Sequence, residues 1–370
     1  MISRAADRAL DRLARGAAGR PLAVDPEVAA FQAAVPVVDL VIGSALFRPD
    51  FLRPIGHGHM DLERARAGGL DLIGLSIATR YPDLRGRLSG PHFRSLGIRP
   101  RGRGDLAIVE AFIRRIEGWA ARSGGRLILA RSAADLRPLA ASSAAAGDPD
   151  APLRAFIGVQ GGQVLDGDLR SVERLARLGV RTLGLAHVMD SPLAGSGTGR
   201  AGGGLSGFGR EAVAELERVG VLVDLAHASP VAIRETVPRL HRPFLVSHTG
   251  FRALAGQRSR WRRYSPARRN LSDDDVRLVG QAGGLIGVSL ATPLVGGASL
   301  EAVVRAFDHA IALVGPERVA LGSDFDGALP MPFDATGLPT LSAALLAAGF
   351  GRQVVAAILG GNALRLLGPQ

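Results

Sequence analysis

The stretch Val221–His248, VLVDLAHASPVAIRETVPRLHRPFLVSH, decides the fold. It holds two apolar, β-branched runs, Val221–His227 and Pro243–His248, each ending in a histidine and separated by a segment of helical character. Strands this uniformly apolar are buried on both faces, which calls for a parallel sheet covered by helices. Outward from this unit the pattern recurs: Pro36–Leu40, Asp71–Ile77, Ala155–Gln160 and Arg181–His187 precede it, and Leu285–Leu290 and Val319–Asp324 follow. Eight such units in one chain predict an α/β fold, a single (β/α)8 TIM-type barrel, with an open doubly wound sheet as the alternative. A further run, Arg126–Ala130, reads as a peripheral strand. Gly209–Val219 carries Val213, Leu216 and Val219 at helical spacing, and Ser272-Asp273-Asp274-Asp275 is an acidic helix start suited to the helix dipole. The resulting division is an N-terminal helical arm (1–35), the β/α barrel (36–337) and C-terminal helices packing on it (338–370), the last being Gly351–Leu367. Small residues at Ala140–Ala151 mark a flexible connection.

Composition bounds the function. The chain has 370 residues, 47% hydrophobic and 21% charged, enough apolar content to offset the entropy of ordering. The uncharged stretch Leu278–Gly297 is interrupted by glycines and Pro293, so it reads as a buried strand with its turns and not as a membrane span. The first 20 residues space arginines through alanine and leucine without a signal-peptide core, which makes the cytoplasm the expected compartment. With no cysteine, disulfides, thiolate metal sites and cysteine nucleophiles are excluded. The net charge of +11 comes from basic residues that are all arginine, alongside 49 glycines, a pattern of nucleotide-composition bias; nucleic acid is not the expected partner.

Barrel enzymes build their sites at strand C-termini. Here the fourth, fifth, sixth and eighth strands end in His187, His227, His248 and Asp324, so three of eight histidines fall at equivalent places. Burying several imidazoles near one axis is costly unless each finds a partner or a metal. Zinc suits His227 and His248 with oxygen donors beside them, and Asp324 is suited either as a ligand or as a general base.

Several segments together resemble the membrane (renal) dipeptidase family: Gly204–His227 (GLSGFGREAVAELERVGVLVDLAH), Leu245–Leu254 (LVSHTGFRAL), Arg268–Leu290 (RRNLSDDDVRLVGQAGGLIGVSL) and Leu321–Gly327 (LGSDFDG). The likeness extends to His59–Ile77, Gly158–Gly162, Leu178–His187 and Gly360–Leu367, nearly the whole chain. That family consists of zinc dipeptidases on a metal-dependent-hydrolase-like barrel. The resemblance implies that His227 and His248 are metal ligands, that Asp324 is the catalytic acid/base, that His187 steadies the tetrahedral intermediate, and that Arg269 binds the substrate carboxylate. It also implies a dipeptide or similar small amide as substrate, and homodimers are common among such proteins. The "membrane" of the family name is not expected to transfer.

The first half of the family's site is missing. A His-x-Asp pair is characteristic of its first strand, where this chain reads Asp39-Leu40-Val41-Ile42-Gly43, so the metal-ligand positions are Val41 and Gly43. The bridging glutamate of the third strand is Gln160, a neutral amide and a weak donor to metal. One zinc at most is therefore expected, on His227 and His248 with Gln160 as a weak third ligand. Three readings stay open: a single-zinc hydrolase, a non-catalytic binding protein or partner subunit for an anionic small molecule, and a metal-free reaction on His187, His248, Asp324 and Arg269. Asp39 reaches the interior only by a two-residue register slip, and His57 and His59 lie outside the ligand pattern as loop residues.

Two arginine-rich connections follow strand ends. Between residues 80 and 103 lie Arg80, Arg85, Arg87, Arg94, Arg99, Arg101 and Arg103. Between 252 and 269 lie Arg252, Arg258, Arg260, Arg262, Arg263, Arg268 and Arg269, interleaved with Trp261 and Tyr264. On a barrel both face the mouth, which predicts a cationic funnel for an anionic substrate.

Overall fold

A computed structural model describes residues 24–54, 56–80, 93, 96–141, 151–255 and 265–369. Most of the N-terminal arm, most of the alanine-rich connection, and Arg85, Arg87, Arg94, Arg258, Arg260, Trp261, Arg262, Arg263 and Tyr264 lie outside these residues.

Nine parallel strands are described: β1 (Val38–Ile42), β2 (Leu72–Ala78), β3 (Leu127–Leu129), β4 (Leu153–Gln160), β5 (Val180–Gly184), β6 (Leu222–Asp224), β7 (Leu245–Thr249), β8 (Leu285–Val288) and β9 (Val319–Leu321). Eight of them run β1-β2-β4-β5-β6-β7-β8-β9 around a TIM-type barrel, each in the place its apolar run predicts. β3 is peripheral, as its isolated run suggested. It pairs with Leu153–Ala155 at the start of β4, whereas β5 pairs with β4 only from Ile157 onward, so one long strand serves both neighbours in turn. Strands β1, β2, β7, β8 and β9 are buried along their whole length, which is why their sequences lack polar alternation.

The helices follow local rules with two departures. The helix expected at Gly209–Val219 begins two residues earlier, at Gly207, because the Ser206 hydroxyl accepts from Gly209 N–H at 2.8 Å and caps it; Gly220, in the left-handed region at φ 77°, ends it. The expected helix Gly351–Leu367 is divided into Arg352–Ala356, a π turn at Ala357–Gly361, and Asn362–Leu367. The π turn lets Gly360 lie against the Pro36 carbonyl just before β1, where a Cβ would stand 2.2 Å from that oxygen. Leu338–Ala347 packs against the helix Pro26–Ala33 through Ser342, which donates to Gln32 Oε1 at 2.5 Å.

The barrel closes between β1 and the end of β9. Gly43 N–H donates to Phe325 O at 2.7 Å, Asp324 N–H donates to Val41 O at 3.2 Å, and Ile42 bridges Phe325. Asp39, buried on β1, spans the same seam: its carboxylate accepts from Val41 N–H (3.3 Å), Ser323 N–H (2.8 Å) and the Ser323 hydroxyl. It is committed to the seam in the observed register and faces no metal position, which removes the register-slip role considered for it.

Burial pushes the Asp39 carboxyl up to about 7, with the nearby Asp324 adding to the rise and the three donors opposing it. A carboxyl raised in the folded state costs stability as pH climbs from its ordinary value toward the raised one. Asp39→Asn removes that cost, so the variant's stability deficit relative to the parent should shrink as pH goes from about 4.5 to about 7.5. Urea denaturation midpoints across that range check this; a deficit that widens would show a carboxylate held charged.

Candidate active site

The strand ends bring the predicted residues together. His187 lies three residues beyond β5, His227 three beyond β6, His248 on β7, and Asp324 three beyond β9. The His187 and His227 rings are 4.6 Å apart between centroids, and those of His227 and His248 are 4.9 Å apart, with the two Nε2 atoms only 3.0 Å from each other. Arg269 reaches in from the helix Pro266–Arg269 and donates through Nη2 to His248 O at 2.9 Å. His227 and Asp324 have φ of 66° and 63°, in the left-handed region that costs a non-glycine residue roughly 1–3 kcal/mol. Such strain persists only where surroundings over-determine it. His227 O accepts from Gly197 N–H at 2.8 Å, and Gly327 N–H returns to Asp324 O at 2.9 Å.

The electrostatics keep the imidazoles neutral. Burial, then the Arg269 charge, holds His187 down at about 4. His227 and His248 are pushed well below the usual imidazole range by burial, by Arg269 and by their imidazole neighbours. Burial lowers Arg269 to about 10, and raises Asp324 to about 7 against the pull of Arg269. Near neutral pH the cluster therefore offers imidazole lone pairs, one guanidinium and one carboxyl poised near its titration point.

Among the described residues the donors that converge for a metal ion are one pair of imidazole nitrogens. Two imidazole nitrogens bound to a tetrahedral zinc at about 2.0–2.1 Å stand roughly 3.3–3.4 Å apart. The His227/His248 pair, with its Nε2 atoms 3.0 Å apart, lies a few tenths of an ångström inside that spacing. Gln160 turns its amide nitrogen to Ser76 Oγ at 2.8 Å, leaving buried Oε1 without a partner among the described residues, the atom that could serve as a weak third donor. No group of three or more His, Asp or Glu is gathered for a metal among the described residues. On the β1 side the Val41 side chain is a buried hydrocarbon. A Cβ on Gly43 would lie 2.5 Å from the Asp326 carbonyl oxygen, so the backbone itself occupies that position.

A buried polar cluster stands behind this closure. The Asp326 carboxylate accepts from Arg48 Nη2 (2.7 Å), Arg48 Nε (2.8 Å), Ser44 Oγ (2.8 Å) and His59 N–H (2.7 Å), while Asp326 N–H donates to His59 Nδ1 at 3.2 Å. His59 is thus a loop residue, as expected, but a buried one that fixes the turn after β9. Arg48, Ser44 and Asp326 escaped sequence reasoning; the one available signal was the spacing of Asp326 two residues past Asp324. Of the described funnel arginines, Arg80 is paired with Asp105 at 2.5 Å and Arg99, Arg101 and Arg103 are exposed. Arg252 and Arg268 line a cavity of about 310 Å³ with Ser196, Gly197, Ser229 and Pro230. Its wall adjoins the site: Ser196 Oγ donates to His187 O at 2.6 Å and Arg268 precedes Arg269.

Residues 27–369 match the membrane dipeptidase family, peptidase family M19. The chain belongs to that family. M19 dipeptidases are in general zinc-dependent metallopeptidases on such a barrel. Dipeptidase 3 of Rattus norvegicus is 30% identical over 226 residues, 58% of this chain and 44% of that protein, so the matched stretch spans less than half of this relative's length. A Klebsiella pneumoniae protein, "Uncharacterized protein in pqqA 5'region", is 30% identical over 277 residues, 71% of this chain and 93% of its own. Among solved structures, a Rhodobacter sphaeroides metallopeptidase liganded with a phosphinate mimic of the dipeptide L-Ala-D-Ala superposes with TM-score 0.74 and 25% identity, over 90% of this chain and 98% of that one. The probable dipeptidase PvdM of Pseudomonas aeruginosa shares the fold with TM-score 0.73 at 21% identity, over 92% and 97%. No helix among the described residues is long and apolar enough to cross a membrane.

Introducing a His-x-Asp pair at this end of β1 should therefore fail to create a metal position there. Val41→His/Gly43→Asp is expected to destabilise the fold by at least about 1–3 kcal/mol through overpacking at Asp326, with no gain in zinc per chain by elemental analysis. A second equivalent of zinc in a stably folded double variant would refute the closure.

Proposed function

We propose that this M19 protein hydrolyses a dipeptide or similar small amide with a single zinc held by His227 and His248. The observation that supports this is the convergence of the two Nε2 atoms at 3.0 Å beside Asp324 and Arg269. A divalent ion bound there would supply Lewis-acid activation of water at neutral pH. The chain's own residues do the rest. The Arg269 guanidinium binds the substrate's terminal carboxylate and fixes the scissile carbonyl over the imidazoles. Asp324, half ionised near pH 7, takes the proton from the attacking water and returns it to the leaving amine. His187, neutral, donates a hydrogen bond to the oxygen on which charge develops. The closed β1 side keeps water out of the half of the mouth that lacks ligands.

The cavity lined by Arg252 and Arg268 supports an anionic side chain on that substrate. A second reading, a non-catalytic relative that binds such an anion, is favoured by one observation, that among the described residues no strong third donor is gathered beside the histidine pair.

Zinc content after dialysis separates the two. One zinc per chain, lost in His227→Ala/His248→Ala, together with dipeptide turnover that falls about 10²–10⁴-fold in Asp324→Asn, is the expected result. Absence of zinc from parent and variant alike would leave the binding-protein reading. In Arg252→Gln/Arg268→Gln, the binding of acidic dipeptides should weaken about 10-fold and lose its salt dependence while neutral dipeptides are unaffected; equal loss for both classes would overturn the anionic preference.

A further inference from the structure

The stretch Gly195-Ser196-Gly197-Thr198-Gly199, in the connection after β5, alternates glycine with a hydroxyl residue. Two antiparallel bridges pin it, Ala194 to Leu205 and Ser196 to Ala228. The glycines admit backbone at close range: a Cβ on Gly195 would stand 2.0 Å from Gly203 O, and one on Gly197 would stand 2.5 Å from Arg268 O. Both hydroxyl residues are buried. Ser196 Oγ donates to His187 O at 2.6 Å and Thr198 Oγ1 donates to Val188 O at 2.8 Å, with the two hydroxyl oxygens 3.2 Å apart. Both acceptors are main-chain carbonyls, which only accept, so the direction of each bond is fixed by the atoms themselves.

Three pieces of the site hang from these five residues. Ser196 holds the His187 carbonyl, Gly197 N–H donates to His227 O at 2.8 Å, and Gly199 O accepts at 2.9 Å from Nη2 of Arg268, the residue before Arg269. The stretch is itself anchored. The Asp190 carboxylate accepts from Ser196 N–H (2.8 Å) and Ala201 N–H (3.0 Å), and Ser229 N–H donates to Gly195 O at 2.8 Å. His187 and His227 each lie three residues beyond their strands, so ladder pairing does not set their separation. His248 differs, since it stands within β7. We propose that Ser196, acting through the His187 carbonyl, is a positioning residue which, with Gly197, sets the 4.6 Å spacing of the His187 and His227 rings. Adjacent residues on a trans chain have Cα atoms about 3.8 Å apart. Two donors so placed, one on each histidine's carbonyl, lock the connections after β5 and β6 to each other. The same two residues also line the cavity with Arg252 and Arg268, so its wall is the segment that spaces the imidazoles. The consequence for catalysis rests on the dipeptidase reading above; the spacing does not.

The test uses the full chain, freed of metal and deuterated everywhere except at histidine, with His187→Ala and His248→Ala assigning the rings. The parent should show nuclear Overhauser contacts between the His187 and His227 rings and between the His227 and His248 rings, whose centroids are 4.6 and 4.9 Å apart. Ser196→Ala should lose the first contact and keep the second. Thr198→Val, which removes the neighbouring hydroxyl at constant shape, should weaken the first contact too, and Thr198→Ser should restore it; this pair decides the matter if Ser196→Ala does not fold. In dipeptide hydrolysis Ser196→Ala should lower kcat about 10–100-fold at unchanged KM, because His187 acts on the oxygen that gains charge only in the transition state. A merely structural role would weaken both ring contacts alike. A His187–His227 contact that is absent from the parent, retained in folded Ser196→Ala and Thr198→Val, or lost together with the His227–His248 contact overturns the proposal. If the parent turns over no dipeptide, the hydrolase reading falls, and the ring contacts alone uphold or overturn the brace.

Discussion

The seam between β1 and β9 is the constraint on which the rest of the molecule depends. A barrel has no sheet edge only if its first and last strands meet, and here they meet through a short parallel bridge, Ile42 to Phe325, flanked by two backbone hydrogen bonds. So short a ladder needs reinforcement. Asp39 supplies it from one side through Ser323, and Asp326 supplies it from the other through Ser44, Arg48 and His59. Asp324 stands between these two anchors. Its left-handed backbone is held because its neighbours on both sides are fixed, and that sets where the carboxyl points.

The same closure explains the charge of the mouth. With water excluded, each ionisable group shifts toward its neutral form unless a partner opposes it. The imidazoles go down, Asp39 and Asp324 go up, and even Arg269 is lowered. Asp326 alone among these carboxyls is held down despite burial, because Arg48 is bonded to it twice. The net charge of +11 plays little part, since most arginines described are paired on the surface or exposed. What reaches the site is local: Arg269 inside, with Arg252 and Arg268 at the adjoining cavity.

Much of this was legible in the sequence, for identifiable reasons. Doubly buried strands are written as unbroken apolar runs, so all eight barrel strands and the peripheral β3 could be read directly. Histidines ending successive runs projected to one face because parallel strands share a direction. The π turn at Ala357–Gly361 was hidden because its cause is the distant Pro36 carbonyl. The Arg48–Asp326 pair, 278 residues apart, carries no local signature. Ser196 and Thr198 read as ordinary loop residues among glycines, since the carbonyls they hold belong to the backbone and leave no mark in the sequence.

The presence of Val41 and Gly43, neither with a metal-binding side chain, at the end of β1 gains a physical sense from the packing. Had this end of β1 been left as an open hole lined by orphaned polar groups, each unsatisfied group would cost about 1–3 kcal/mol. Instead the Asp326 carbonyl stands where the side chain of residue 43 would go, and the Asp326 carboxylate is satisfied by a buried guanidinium. That guanidinium belongs to Arg48, itself buried beside the turn after β9. A guanidinium cannot activate water, but it balances the carboxylate beside the mouth without an exchangeable ion. His227, His248 and Arg269 converge away from that side, while Asp324 stands at the seam itself, its N–H on the Val41 carbonyl.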